Sequence, residues 1–177
     1  MQRTFAIFCL AYAGFVSQAY ASDGTISFTG NISTTTCSIS VAGSGNNGAI
    51  TLPSISTKAL SAALATAGTA PFSISLSGCT GAATQAAIWF ENDSNVNAAG
   101  RLINTGTASN VDVAIYNTAS STPIPIGQTS SVFGSSGTAF PISSGSATLK
   151  YLAKYYATGV ATAGTVVASV NYTVQYQ

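Results

Sequence analysis

Hydrophobic and polar positions alternate along the end of the chain. Val166, Ala168, Val170, Tyr172, Val174 and Tyr176 fall on one face, and Val167, Ser169, Asn171, Thr173 and Gln175 on the other. A period of two sustained this far predicts a half-buried β-strand, and Val, Tyr and Thr favour that conformation. The sequence stops one residue after Tyr176, so no hairpin strand is expected to follow, and the strand's next neighbour is expected from elsewhere. Near the other end, Ile26, Phe28, Gly30 and Ile32 share a face opposite Thr25, Ser27, Thr29, Asn31 and Ser33. This predicts a second alternating strand, whose plain reading is the first strand of a sandwich. Its glycine stands out, because glycine weakens a strand and often marks close approach of another chain.

Between these two stretches the pattern is of short strands and turns. Cys37–Val41 alternates, and GSGNNG (Gly43–Gly48) signals a turn. Ala49–Leu52 reads as a short strand closed by Pro53. Phe72, Ile74 and Leu76 alternate with Ser73, Ser75 and Ser77 and run into Gly78-Cys79. Ala86–Phe90, Val111–Tyr116 and Leu149–Tyr156 are further predicted strands. Lys58–Thr66 fits a brief helix, with Leu60 and Leu64 one turn apart, or equally a loop over the end of a sandwich. The polar runs Glu91–Gly100 and Gly127–Gly137 read as connections, and Pro123 and Pro125 fit an edge or turn. No repeat or linker divides the chain. The pattern predicts one all-β domain, an antiparallel β-sandwich, immunoglobulin-like in outline.

The first 21 residues change the picture of where the protein works. Arg3, the apolar run FAIFCLAYAGFV and then Ala19-Tyr20-Ala21 match an export signal with small residues at its cleavage site. The run is too short for a membrane span, and Ile7 and Phe8 before Cys9 do not suit a lipidation signal. Cleavage leaves Cys37 and Cys79 in an oxidising compartment, where such a pair reads as a disulfide. Closing a loop of this size contributes roughly 4 kcal/mol in the chain-entropy picture.

Composition excludes most chemistry. Only 5% of residues are charged and there is no histidine. The formal charge of +1 includes Arg3, so the exported side chains balance at zero. A neutral surface offers no footprint for nucleic acid or anionic membrane, and it lowers the repulsion that opposes self-association. Without histidine or a free thiol no Ser–His or Cys–His nucleophile is available, and two thiols cannot complete a metal site. Glu91 and Asp93 lie two apart in a polar loop and read as solvated charges rather than a glycosidase pair. No cofactor and no catalytic or metal-binding residue is expected.

Four motifs in order carry a resemblance: DGTISFTGNI before Cys37, AITLPSIS (Ala49–Ser56), FSISLSGC (Phe72–Cys79), and an ending with Gly164 fourteenth from the terminus and Tyr176 penultimate. Together they resemble the pilins of chaperone–usher fimbriae in Gram-negative bacteria, of the type 1 and F17 kinds. The run KYLAKYYATGVATAGTV (Lys150–Val166) is especially similar to major subunits of the F17 type.

The resemblance implies an incomplete immunoglobulin-like sandwich lacking its final strand. On that reading 1–21 is the signal, 22–36 a donor-strand extension and 37–177 the pilin domain. Ile26, Phe28, Gly30 and Ile32 would form the donor strand. Gly164, Val166, Ala168, Val170, Tyr172, Val174 and Tyr176 would edge the acceptor groove and bind the chaperone. The implied partners are neighbouring subunits, a periplasmic chaperone and an outer-membrane usher, and the implied place is a fimbria on the cell surface. The implied function is that of a rod subunit for adhesion; a minor or tip pilin, or a lectin-like adhesin touching sugar through Glu91–Gly100, is the alternative. A tip adhesin of this family usually has an extra receptor domain and no donor extension, which disfavours it here.

Overall fold

The computed structural model describes residues 24–127, 133 and 139–177. The expected signal, 1–21, lies outside them, as does most of the polar run Gly127–Gly137. The chain divides into residues 1–31 and 32–177. That division falls inside the stretch 22–36. Thr35 is buried and accepts a hydrogen bond from the Ala83 amide (3.3 Å), so the last residues of the stretch belong to the sandwich.

In the first unit, residues 24–31 join no sheet and are exposed. The alternating pattern there predicts a strand with a buried face. Ile26 and Phe28 are instead 82% and 90% exposed, as is Ile32 (98%) at the start of the second unit. The periodicity is present without a buried face among the described residues.

The second unit is a two-sheet sandwich. One sheet holds β1 (Thr36–Val41), β2 (Thr66–Thr80), β6 (Ala147–Ala157) and β4 (Val111–Asn117), in the order β1-β2-β6-β4. The other holds β5 (Phe140–Pro141), β3 (Gln85–Phe90) and β7 (Tyr172–Tyr176), in the order β5-β3-β7. All the pairings are antiparallel. Alternation drives the assembly: Leu149, Tyr151 and Ala153 of β6 face inward while Lys150, Leu152 and Lys154 face out. Ile74 and Leu76 of β2 meet Ile88 and Phe90 of β3 in one core. Tyr151 sits at its centre, with Phe72, Phe90 and Phe140 ring centroids 5.6, 5.3 and 5.7 Å away.

Cys37 and Cys79 form the expected disulfide, tying the start of β1 to the end of β2. β2 starts earlier than Phe72 and carries Pro71 within it. The Ala42 amide donates to the Ser73 carbonyl, so the main-chain groups of Ser73 and, by alternation, of Pro71 point to the β1 side; β1 pairs only with residues 74–80, so the missing amide of Pro71 costs no ladder bond. No α-helix occurs among the described residues. The helix-or-loop stretch becomes a short 3₁₀ turn, Thr57–Leu60, whose Ser56 side chain accepts from the Lys58 amide.

Candidate functional site

Within the second unit two more predicted stretches take no sheet pairing: Ala49–Leu52, and the Val166–Val170 part of the terminal strand. They lie opposite each other as the walls of a trench of about 480 Å³, with Asn46 beside Tyr172 at one end and Leu52 and Val166 also in the lining. Its floor comes from both sheets: Phe72 and Ile74 of β2, Phe90 of β3, Val113 and Ile115 of β4 and Ala153 of β6. Among the described residues β1 and β7 each end their sheet. An apolar trench between two open sheet edges has the unpaired main-chain groups with which a further strand can pair.

One wall is held from behind. The Thr105 amide donates to the Val167 carbonyl (2.8 Å) and the Ala108 amide to the Thr165 carbonyl (3.0 Å). The side-chain oxygen of Asn104 accepts from the amides of Val167 (2.9 Å) and Gly106 (2.8 Å). The Thr165 amide donates to Thr107 Oγ1 (2.9 Å). The bonds that reach the terminal stretch all use its odd-numbered residues, Thr165 and Val167. In extended chain, main-chain groups of successive residues point to opposite sides, so those of Val166, Ala168 and Val170 face the trench. Among the described residues they make no hydrogen bond. The same holds for main-chain groups from Asn47 to Ile55 on the facing wall. The trench therefore presents two rows of unused donors and acceptors.

Side chains follow the same alternation. Val166, Ala168, Val170, Tyr172, Val174 and Tyr176 are half-buried against the core, and Thr165, Val167, Ser169, Asn171, Thr173 and Gln175 are exposed. Burial raises the pKa of Tyr172 and Tyr176 above the ordinary tyrosine value. Gly164 sets the start of the wall: a Cβ there would overlap the Ala108 nitrogen and come within 2.7 Å of the Thr107 carbonyl carbon. Gly106 is the reciprocal case, where a Cβ would run into the carbonyl of Thr165. Gly30, in the extension, has nothing within 4 Å of where a Cβ would stand. The loop Asn104–Ala108, which fixes the wall, escaped the sequence reading because bracing by side-chain amides and hydroxyls leaves no periodic trace. Its cluster of Asn, Thr and Gly marks only a loop.

Among the described residues no group of His, Cys, Asp or Glu is arranged to hold a metal ion. The trench is lined mainly by aliphatic and aromatic side chains, with Asn46, Asn47 and Ser169 the polar ones, and it carries no ionisable acid or base other than Tyr172. Such a surface offers main-chain pairing and apolar contact rather than groups that move protons.

The pattern that defines fimbrial proteins matches residues 26–177. The chain is 36% identical over 184 residues to the F17 fimbrial protein of Escherichia coli, across the whole of both chains. It is 40% identical over 169 residues to the major fimbrial subunit SMF-1 of Stenotrophomonas maltophilia, spanning 89% of this chain and 95% of that one. It is 36% identical over 176 residues to the minor fimbrial subunit HifD of Haemophilus influenzae, spanning 89% of this chain and 76% of that one. In fold it is similar to the P pilus rod subunit PapA, with a TM-score of 0.58 at 18% identity over 80% of this chain and 99% of the other. The chain belongs to the fimbrial protein family, and it is a structural fimbrial subunit rather than an enzyme.

Proposed function

We propose that the protein polymerises by strand addition: the extension of one copy, carrying Ile26, Phe28, Gly30 and Ile32, fills the trench of the next. The observation that carries this reading is the trench itself, with unused main-chain groups on both walls, in a chain whose own extension exposes three large apolar side chains. Main-chain bonds supply affinity on both sides and alternating side chains set the register. Burying the three side chains contributes roughly 5–8 kcal/mol before any ladder bond forms. An open apolar trench in a free subunit invites aggregation, so a periplasmic chaperone lends a strand until an outer-membrane usher exchanges it for the next extension. The product is the rod of a surface fimbria, serving adhesion.

Removing Ser22–Ile32 tests the reading. The shortened subunit should accept an extension from an intact copy and fail to polymerise alone; unaided polymerisation of the shortened form would refute the donor role. The similarity to the minor subunit HifD supports a second reading, a low-copy subunit with the same assembly chemistry. Counting copies along native fibres separates the two.

A further inference from the structure

We infer that the outward faces of the two sheets form a second self-association surface, on which the Lys150–Lys154 face of one polymerised copy meets the Trp89–Glu91–Asp93 face of another. This goes beyond strand addition, which uses the sheet edges.

Charges are few on this chain, and they stand on opposite sheets. With 5% charged residues, each unpaired charge has weight. On the four-stranded face Arg101 Nε holds Asp112 at 3.0 Å and the Asn97 amide holds the same oxygen at 2.8 Å, which neutralises both charges locally. Lys150 is exposed further along β6, and the Lys154 ammonium lies 4.5 Å from the Tyr116 ring centre. Neither has a carboxylate partner among the described residues. On the three-stranded face Thr173 donates to Glu91 (2.6 Å) and Asn171 donates to Asp93 (3.0 Å). Those bonds fix both carboxylates without neutralising them. Trp89, partly exposed, is paired across the strands with the same Thr173 that holds Glu91.

An indole and two carboxylates on one sheet suit an ammonium group, through the ring face and through charge. The chain carries two ammonium groups on its opposite face. Faces of one sign repel their like, whereas opposite faces of opposite sign give a head-to-back contact that repeats without closing. The occupant is therefore a second copy of this chain. A single exposed pair contributes little, but polymerised copies repeat the contact along the fibre and gain avidity.

Charge exchange on fibres of the full exported chain tests this, with sedimentation and electron microscopy as readouts of side-by-side compaction. Strand-linked polymerisation is followed separately by the ladder of denaturant-resistant oligomers. At low salt, wild-type fibres should associate, with about tenfold less association at roughly 0.5 M salt. Lys150→Glu with Lys154→Glu, or Glu91→Lys with Asp93→Lys, should each cut association about tenfold and leave the ladder unchanged. The fourfold exchange restores opposite signs and should return association to within about twofold of wild type. Association that survives either double exchange at low salt, or stays lost in the fourfold exchange, overturns the inference. Loss of the ladder itself would count against strand addition instead.

Discussion

The hydroxyl of Tyr172 donates to the main-chain carbonyl of Asn46 at 2.7 Å, joining residues 126 positions apart. The bond ties the two walls of the trench at one end, where β7 begins and the turn after β1 ends. It leaves the rest of their length, from Asn47 to Leu52 and from Val170 to Val166, without cross-links among the described residues. The trench is a slot closed at one end and open along its side.

Tyr172→Phe removes that tie and keeps the ring. An exposed hydrogen bond of this kind contributes about 0.5–1 kcal/mol, so the unpolymerised subunit should melt only slightly lower. A synthetic peptide of residues 22–36 should enter the trench of the shortened subunit faster in this variant, as followed by fluorescence anisotropy. An unchanged entry rate would show that the tie does not limit access.

Gly164→Ala should cost far more, because the new methyl meets main chain rather than a side chain that can swing away. Overpacking of this sort costs about 2–3 kcal/mol, a fall in melting temperature of roughly 4–12 °C for a domain of this size. Calorimetry on the disulfide-intact subunit measures it. A loss under about 0.5 kcal/mol would mean that the Asn104–Ala108 brace gives way easily.

Gly30→Leu separates folding from assembly. Space around Gly30 is open in the chain, so the subunit's melting should stay within about 0.5 kcal/mol of wild type. Polymerisation should stop, because the extension would no longer fit a neighbour's trench, while chaperone complexes persist on the chaperone's own strand. Normal fibres from this variant would remove Gly30 from the donor role.

Tyrosines set the alkaline limit of the sandwich. Burial raises the pKa of Tyr151, and likewise of Tyr116, Tyr172 and Tyr176. The folded state therefore keeps these hydroxyls neutral where the unfolded chain, with tyrosine near 10, ionises them. Their contribution to stability is present below about pH 10 and declines above it, as pH climbs toward the folded values. The Tyr151 hydroxyl is buried without a fully formed hydrogen bond. Tyr151→Phe should consequently leave stability at neutral pH nearly unchanged and flatten the loss above about pH 10. An alkaline slope identical to wild type would exclude Tyr151 as its source.

Alternation made the sheets legible in advance. Ala86–Phe90, Val111–Tyr116 and Leu149–Tyr156 became β3, β4 and β6 with small changes at their ends, because each has an apolar face against the core and a partner beside it. Ala49–Leu52 and Val166–Val170 alternate just as clearly and form no ladder. Periodicity reports which side chains are buried, whereas a ladder needs a neighbouring strand, and here the facing edges stand apart. The two-residue β5 has too little pattern to be seen. The early start of β2 is masked by alanine and by Pro71, residues that read as loop or helix when considered locally.

Side-chain imaging of the assembled fibre by electron cryomicroscopy tests strand addition most directly. The account predicts Ile26, Phe28 and Ile32 of one copy lying in the neighbouring copy's trench, between the Ala49–Leu52 wall and Val166–Val170, with main-chain bonds to both. A fibre whose trenches hold their own chain's extension, or none at all while subunits join through other surfaces, would contradict it.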